Sequence, residues 1–411
     1  MNSEKLFFCK KTEKFYKEIE KLEKYYFLPR FSSSEFFFYP TQEDWKIIKQ
    51  YIPKIMLNIT NRCNTFCKIC ITNSSPYDFS QELSKEEILL ILKRIGRGKR
   101  VVLIGGEPTV REDLIDIIKL IKASGNQPEL FTNGIKLASF EYAKKLKDAG
   151  IKRVYLSLDS LRENYYEIMN GNRNLLWLKL LALKNLNLLK IDTVIAMRVV
   201  KNLNIEDIEP ILNLCINSVK RKGTIRGIIF HLATPYGRFQ LDRKSIMSLE
   251  EFLCYLRDIS RGEVNVEYFI ESKRLLILLH QLFSKLNIPF SFGSGGLVGL
   301  FRVGSIRQLL PLDLVKEINN DLETKKFHRL LWKLFTRKEL RTLVGRVIKE
   351  VIKKKFIETI SIPGSFFVEA GFVNSPLGRS PIVDLVQFSK GINKTKPMIN
   401  YYSTGGTKDA L

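Results

Sequence analysis

The sequence predicts an α/β fold of six consecutive βα units, and three observations carry that prediction. From residue 54, short apolar runs rich in β-branched residues alternate with longer segments whose apolar residues recur every three or four positions. The short runs are nearly continuous in apolar character, as strands of a helix-covered parallel sheet are, instead of alternating in and out. Polar and glycine-containing stretches fall at their C-terminal ends, the face where parallel α/β folds bind ligands. Right-handed crossovers between such strands allow either a barrel or an open sheet.

Taken in order, the strand runs are KIMLNIT (54–60), RVVLIGG (100–106), PELFTNG (128–134), RVYLSLD (153–159), DTVIAMRVV (192–200) and RGIIFHL (226–232). Helical spacing marks SKEEILLILKRIG, REDLIDIIKLIKASG, SFEYAKKLKDAG, LLWLKLLALKNLNLL and IEDIEPILNLCINSV between them. Ser84 and Ser139 stand where N-caps belong, because a short side-chain oxygen there satisfies an otherwise unpaired N–H. Gly125 and Gly150 stand where C-caps belong.

The 411 residues, 45% of them hydrophobic, can bury one large core or two ordinary ones, which excludes disorder throughout. No run reaches the roughly 18 consecutive apolar residues of a spanning helix, and the N-terminus lacks the apolar stretch of an export signal. A cytoplasmic protein is expected. A formal charge of +24 predicts an anionic partner, either a membrane surface or nucleic acid, and says nothing of fold. Six cysteines, with Cys63, Cys67 and Cys70 crowded together and Cys9, Cys215 and Cys254 isolated, do not resemble a disulfide framework.

The crowded three form CxxxCxxC directly after the first strand. A structural zinc site needs four ligands, and iron–sulfur clusters usually take four cysteines. His231, His280 and His328 are the only histidines, and none is near in sequence. Three thiolates therefore imply an open iron, useful only if something else binds there.

CxxxCxxC after the first strand, with GGEPT after the second, closely resembles the radical S-adenosylmethionine (radical SAM) enzymes over roughly residues 52 to 260. The resemblance implies a partial (β/α)6 TIM-like barrel at 52–260, after an N-terminal extension at 1–51. It also implies one 4Fe–4S cluster on Cys63, Cys67 and Cys70, S-adenosylmethionine as the ligand of the open iron, and a ferredoxin- or flavodoxin-like reductant. Gly105, Gly106 and Glu107 match the positions that hold the methionine amino end. Asn133, Ser157 and Asp159 resemble positions contacting ribose or carboxylate, although Asn133 also reads as a turn residue with positive φ. Arg198 interrupts an apolar strand at its end and is carried as a site residue; the other reading is a buried guanidinium paired with a carboxylate. Ile69 replaces the usual aromatic before the last cysteine. His231 reads as a core histidine, and Cys215 and Cys254 as small apolar residues.

LNITNRCNTFCKIC, GGEPTVREDLIDIIK, TNGIKLASFEYAKKLKDAGIKRVYLSLDS and FHLATPYGRF together look like the archaeal branch that contains tetraether lipid synthase. That likeness points to an alkyl chain of a membrane lipid as hydrogen donor, with the alternatives of RNA modification or a non-catalytic iron–sulfur scaffold. The branch's auxiliary cysteines are missing, so auxiliary clusters are not expected. Residues 261–370 read as a mainly helical, basic region, and 371–411 as an irregular tail. The glycines Gly293, Gly295, Gly296 and Gly299 suit a turn or lid better than a phosphate cradle. Residues 327–356 are amphipathic and basic, as an ordinary surface helix pair or an interfacial helix would be. On the second reading the protein is peripheral to a membrane.

Overall fold

A computed structural model of the chain describes residues 54–77, 82–233, 235, 237–262, 266–285, 297–302, 308, 310–342, 344, 365–372 and 385–388. The N-terminal extension with Cys9, the glycines 293, 295 and 296, and the helical reading beyond residue 344 lie outside the described residues, as does most of the tail. Along the chain the strands are β1 (Lys54–Thr60), β2 (Ile69–Cys70), β3 (Arg100–Gly105), β4 (Gln127–Thr132), β5 (Arg153–Ser157), β6 (Asp192–Val199), β7 (Ile225–Leu232), β8 (Arg238–Phe239), β9 (Leu297–Arg302), β10 (Ser365–Phe372) and β11 (Leu385–Phe388). The longer helices are α1 (Lys85–Ile95), α2 (Leu114–Ala123), α3 (Phe140–Ala149), α4 (Glu163–Asn170), α5 (Leu175–Leu188), α6 (Ile208–Lys220), α7 (Leu249–Ile259), α8 (Val266–Lys285), α9 (Leu312–Glu323) and α10 (Phe327–Thr336).

The chain divides into two compact units. The first holds β1 to β5 with α1 to α5, together with β8 and β11. Its strands run in the order β11-β1-β3-β4-β5, every neighbouring pair parallel. Apart from β11, each crossover adds the next strand on the same side. That is the winding of a barrel segment and not of a doubly wound sheet, whose order reverses. β11 lies in the segment expected to be irregular, and Lys54 to Leu57 pair with Leu385 to Phe388.

Local sequence explains these elements. Ile55, Leu57 and Ile59 of β1 are fully buried, as are Val101 and Leu103 of β3. Ser84 accepts from the Glu87 N–H while the Glu87 carboxylate accepts from the Ser84 N–H, a capping box that starts α1. Its buried stripe is Ile88, Leu92 and Ile95. In α2 the stripe is Leu114, Ile117, Ile118 and Ile121, and Ser139 caps α3 through the Tyr142 N–H.

At the N-terminal ends of these strands sits a closed polar network. Arg100 donates from Nε and Nη2 to both oxygens of Glu129, at 2.8 Å each, and Nη2 also donates to the Tyr155 hydroxyl at 2.7 Å. The Tyr155 hydroxyl donates in turn to Glu129 Oε2, and Gln127 Nε2 to Oε1. Burial alone would raise the Glu129 pKa, but the guanidinium groups of Arg100 and Arg153 draw it down to about 2. This is an ion pair with nearly every lone pair used, the condition under which a buried charge is tolerated.

The second unit takes β6 from Val194 onward and holds β7, β9 and β10 with α6 to α10. β10 pairs parallel with β7 and antiparallel with β9, so the mainly helical region also contributes two strands. Phe230 and Phe252 pack in the unit's core with ring centroids 5.0 Å apart and ring planes tilted by 54°. Cys215 is fully buried on α6 with its thiol pushed up by burial, an apolar role as expected. Arg198 sits half-buried on β6, where its carbonyl accepts from Asn204 Nδ2, and His231 is half-buried on β7.

Candidate functional site

The site is built on the C-terminal ends of β1, β3, β4 and β5 in the first unit. After β1 the chain cannot continue in register, because β1 and β3 slip by one residue between Asn58 and Thr60. Glu82 then fixes the start of the loop by accepting from the Thr60 hydroxyl at 2.6 Å and from Arg62 Nε at 2.9 Å. Arg111 donates to the carbonyls of Ile59 and Leu83. The cysteine loop thus leaves the sheet from a tied base.

The three thiols are not disulfide-bonded. Cys63 is buried, and burial pushes its thiol up to about 11 when no metal neutralises it. Cys67 and Cys70 are half-buried. The Thr65 hydroxyl lies 3.3 Å from Cys63 Sγ and 3.6 Å from Cys67 Sγ, so one side chain bridges two sulfurs. Thr72 Oγ1 lies 3.4 Å from Cys70 Sγ. Asn170, the last residue of α4, donates from Nδ2 to Cys67 Sγ at 3.0 Å. Hydroxyl and amide donors of this kind suit sulfurs that carry charge.

The GGE stretch is stitched to this loop. Gly106 N–H donates to the Thr60 carbonyl and Glu107 N–H to the Arg62 carbonyl, both at 2.9 Å. A Cβ at Gly105 would stand 2.1 Å from Thr60 O, and one at Gly106 would stand 2.3 Å from Arg62 O. Only glycine admits that approach. Glu107 is buried, and its carboxylate is occupied from four directions. Oε1 accepts from the Thr109 N–H, the Thr109 hydroxyl and the Thr132 hydroxyl, and Oε2 accepts from the Asn133 N–H at 2.6 Å. It ties the end of β3 to the end of β4.

Asn133 belongs both to a turn and to the rim. Its Oδ1 accepts from the Ile135 N–H, while Nδ2 donates to Asn64 Oδ1 in the cysteine loop at 2.7 Å. The positive φ expected there falls instead on Gly134, at 85°. Lys179 of α5 donates to the carbonyls of Asn133 and Ser157, joining the rims of β4 and β5. The Asp159 N–H donates to the Tyr166 hydroxyl on α4. Cys63, Cys67, Cys70, Gly105, Gly106, Glu107, Asn133 and Ser157 are therefore linked within the first unit, which also holds Asp159. Arg198 belongs to the second unit.

Sequence reasoning missed the strap across the loop. Arg238 on β8 donates from Nε to the Cys67 carbonyl at 2.8 Å and through Nη2 to the Ser74 carbonyl, with its guanidinium carbon 3.6 Å from the Phe66 ring centroid. β8 pairs with β2, placing Arg238 opposite Cys70. Gly237, at φ 61°, lets the strap close, because a Cβ there would meet the Cys70 carbonyl at 2.3 Å.

Within the first unit this chemistry offers three thiols. Cys215 and Cys254 lie on α6 and α7 of the second unit, which also holds all three histidines. No group of three His, Cys, Asp or Glu side chains among the described residues is arranged to hold a single metal ion. In a 4Fe–4S cluster each thiolate binds a different iron, so a loop with three separate sulfurs fits a cluster with one iron left open.

Residues 57–215 match the radical SAM superfamily. A 4Fe–4S cluster and S-adenosylmethionine are accordingly its cofactors. The chain is 32% identical over 223 residues to a 7,8-dihydro-6-hydroxymethylpterin dimethyltransferase of Methanocaldococcus jannaschii, covering 52% of this chain and 43% of that protein. It is 37% identical to a probable GTP 3',8-cyclase of Thermococcus kodakarensis over 29% of this chain and 39% of the relative. With an Fe-coproporphyrin III synthase of Methanosarcina barkeri it shares 38% identity over 27% of this chain and 28% of the relative. The chain thus spans less than half the length of each.

Proposed function

We propose that the protein reductively cleaves S-adenosylmethionine and uses the product to remove hydrogen from a carbon of its substrate. The observation that carries this reading is the stitching of the three-thiol loop to the GGE stretch in one unit. When bound, the cluster and cofactor supply a one-electron cleavage of a carbon–sulfur bond, giving methionine and a 5′-deoxyadenosyl radical, with the electron from a ferredoxin- or flavodoxin-like donor. Cys63, Cys67 and Cys70 hold the cluster. Gly105 and Gly106 bring the backbone up to the site, and Glu107 fixes their conformation from beneath. Asn133, Ser157 and Asp159 line the rim where ribose and carboxylate groups would be oriented, and Arg238 clamps the loop.

For the substrate we propose an alkyl chain of a membrane lipid, supported by the net charge of +24 and by the sequence likeness to the lipid-modifying branch. A second reading, a small heterocycle, is favoured by the relatives named for a pterin and for GTP.

Anaerobic reconstitution, followed by incubation with S-adenosylmethionine and dithionite, tests the chemistry. One cluster per chain and formation of 5′-deoxyadenosine are expected. A loaded cluster with no 5′-deoxyadenosine would make the protein a scaffold, and two clusters per chain would contradict the single site. Deuterium transfer into 5′-deoxyadenosine from perdeuterated lipid, and not from labelled pterin, would separate the two substrates.

A further inference from the structure

In the second unit α10 carries its amphipathic pattern inside out. A surface helix normally turns its apolar stripe toward the protein and its charges toward water. On α10 it is Lys333 that faces inward, pairing with the buried Asp321 and with Glu317 of α9, and Arg337 just beyond the helix also reaches Glu317. Leu330 and Leu334 are half-buried on the same side. Phe327, Leu331, Trp332 and Phe335 point outward and are 45%, 57%, 68% and 72% exposed, and no residue of the helix is buried. At 100° per residue these four span one continuous face.

Charge decides what covers that face. Residues 325–341 hold seven Lys or Arg and one Glu. A second copy docking through the same face would bring Lys325, Lys326, Arg329 and Lys338 against their own counterparts, which like-charge repulsion opposes. Nucleic acid would satisfy the cations but not Leu331 and the edge of Phe327, because base recognition needs flat stacking surfaces. An anionic bilayer satisfies both: Leu331 and Phe335 enter the acyl boundary, Trp332 sits at headgroup level, and Lys325, Lys326, Arg329 and Lys338 meet phosphates. No helix among the described residues is long and apolar enough to cross a membrane, so α10 would lie in the plane of the interface.

We infer that α10 docks the protein on an anionic lipid surface through Phe327, Leu331, Trp332 and Phe335. The inference goes beyond the proposed chemistry and holds whichever carbon is attacked. Its test is sedimentation of the full chain with vesicles of phosphatidylglycerol and phosphatidylcholine, with pure phosphatidylcholine vesicles, and with bulk tRNA at the same salt.

Binding to the anionic vesicles is expected, falling about 10-fold or more on pure phosphatidylcholine. The double variant Trp332→Asp, Phe335→Asp should weaken it about 100-fold or more. Both side chains are exposed, so the variant should fold and form 5′-deoxyadenosine with dithionite like the parent. Absence of vesicle binding, binding unchanged in the variant, retention by tRNA alone, or a dimer that the variant dissociates would each overturn the inference. Vesicle binding without any 5′-deoxyadenosine would instead leave the docking intact and remove the proposed chemistry.

Discussion

The two ends of the first unit's sheet handle buried polarity in opposite ways. At the N-terminal ends, Arg100 meets the opposite charge of Glu129 at 2.8 Å, and the Tyr155 hydroxyl joins both at 2.7 and 3.0 Å. At the C-terminal ends, the sulfurs of Cys63, Cys67 and Cys70 are approached by hydroxyls and an amide. The first end is complete as a protein structure. At the second the donors to the sulfurs are neutral, and bound metal would supply the positive charge that thiolates call for. The contrast separates the residues that hold the fold from those that hold a cofactor.

Substitutions at the two ends should therefore fail differently. Cys67→Ala is expected to abolish cluster assembly and 5′-deoxyadenosine formation while barely moving the urea midpoint of the metal-free protein. Glu129→Ala strands a buried guanidinium and should cost about 3–5 kcal/mol of stability by urea titration, with iron content per folded chain unchanged. If Glu129→Ala instead lost iron at full stability, the division between the ends would be wrong.

Glu107→Gln tests the boundary between them. The amide cannot accept from all four donors, and displacement of the GGE stretch should lower 5′-deoxyadenosine formation about 10- to 100-fold. Iron content should be retained, because Glu107 holds no sulfur. A change in iron content alone, with turnover per cluster intact, would assign Glu107 to the loop's fold and not to cofactor placement.

The same contrast carries a pH dependence. Glu129 ionises near 2 in the folded chain and near its ordinary value of 4.5 when unfolded. Its stabilisation is therefore fully present above about 4.5 and is lost as pH falls from there toward 2. Thermal melts between pH 7 and pH 3 should show a decline that Glu129→Gln flattens. The smallest effect belongs to Asn170→Leu. Removing its N–H···S bond to Cys67 should shift the cluster's potential to more negative values without loss of iron, because such bonds stabilise the more negative, reduced state. Potentiometric titration followed by electron paramagnetic resonance reads it.

Much of this was legible in the sequence, because local pattern specifies local structure. The six apolar runs coincide with β1 and β3 to β7 to within a few residues, and Ser84 and Ser139 cap the helices that their positions suggest. The cysteine spacing and GGE gave the site because a loop motif is contiguous. Arg238 clamps Cys67 from 171 positions away, and Asn170 reaches it from 103, distances over which periodicity carries no information. Arg100 and Glu129 lie 29 positions apart, and only the register of β3 against β4 brings them together. β11 escaped because four residues, LVQF, in a glycine- and serine-rich tail are too short to show a period. For α10 the spacing is the same whether the stripe faces in or out, and only the pairing of Lys333 with α9 decides.

The central claim is that three thiols of the first unit leave one iron open for S-adenosylmethionine. Electron paramagnetic resonance of the reduced, reconstituted protein, recorded with and without S-adenosylmethionine, tests it most directly. The account expects a 4Fe–4S signal whose g values move when the cofactor is added, and no such signal in Cys67→Ala. A cluster signal indifferent to S-adenosylmethionine, or one that persists in Cys67→Ala, would contradict it.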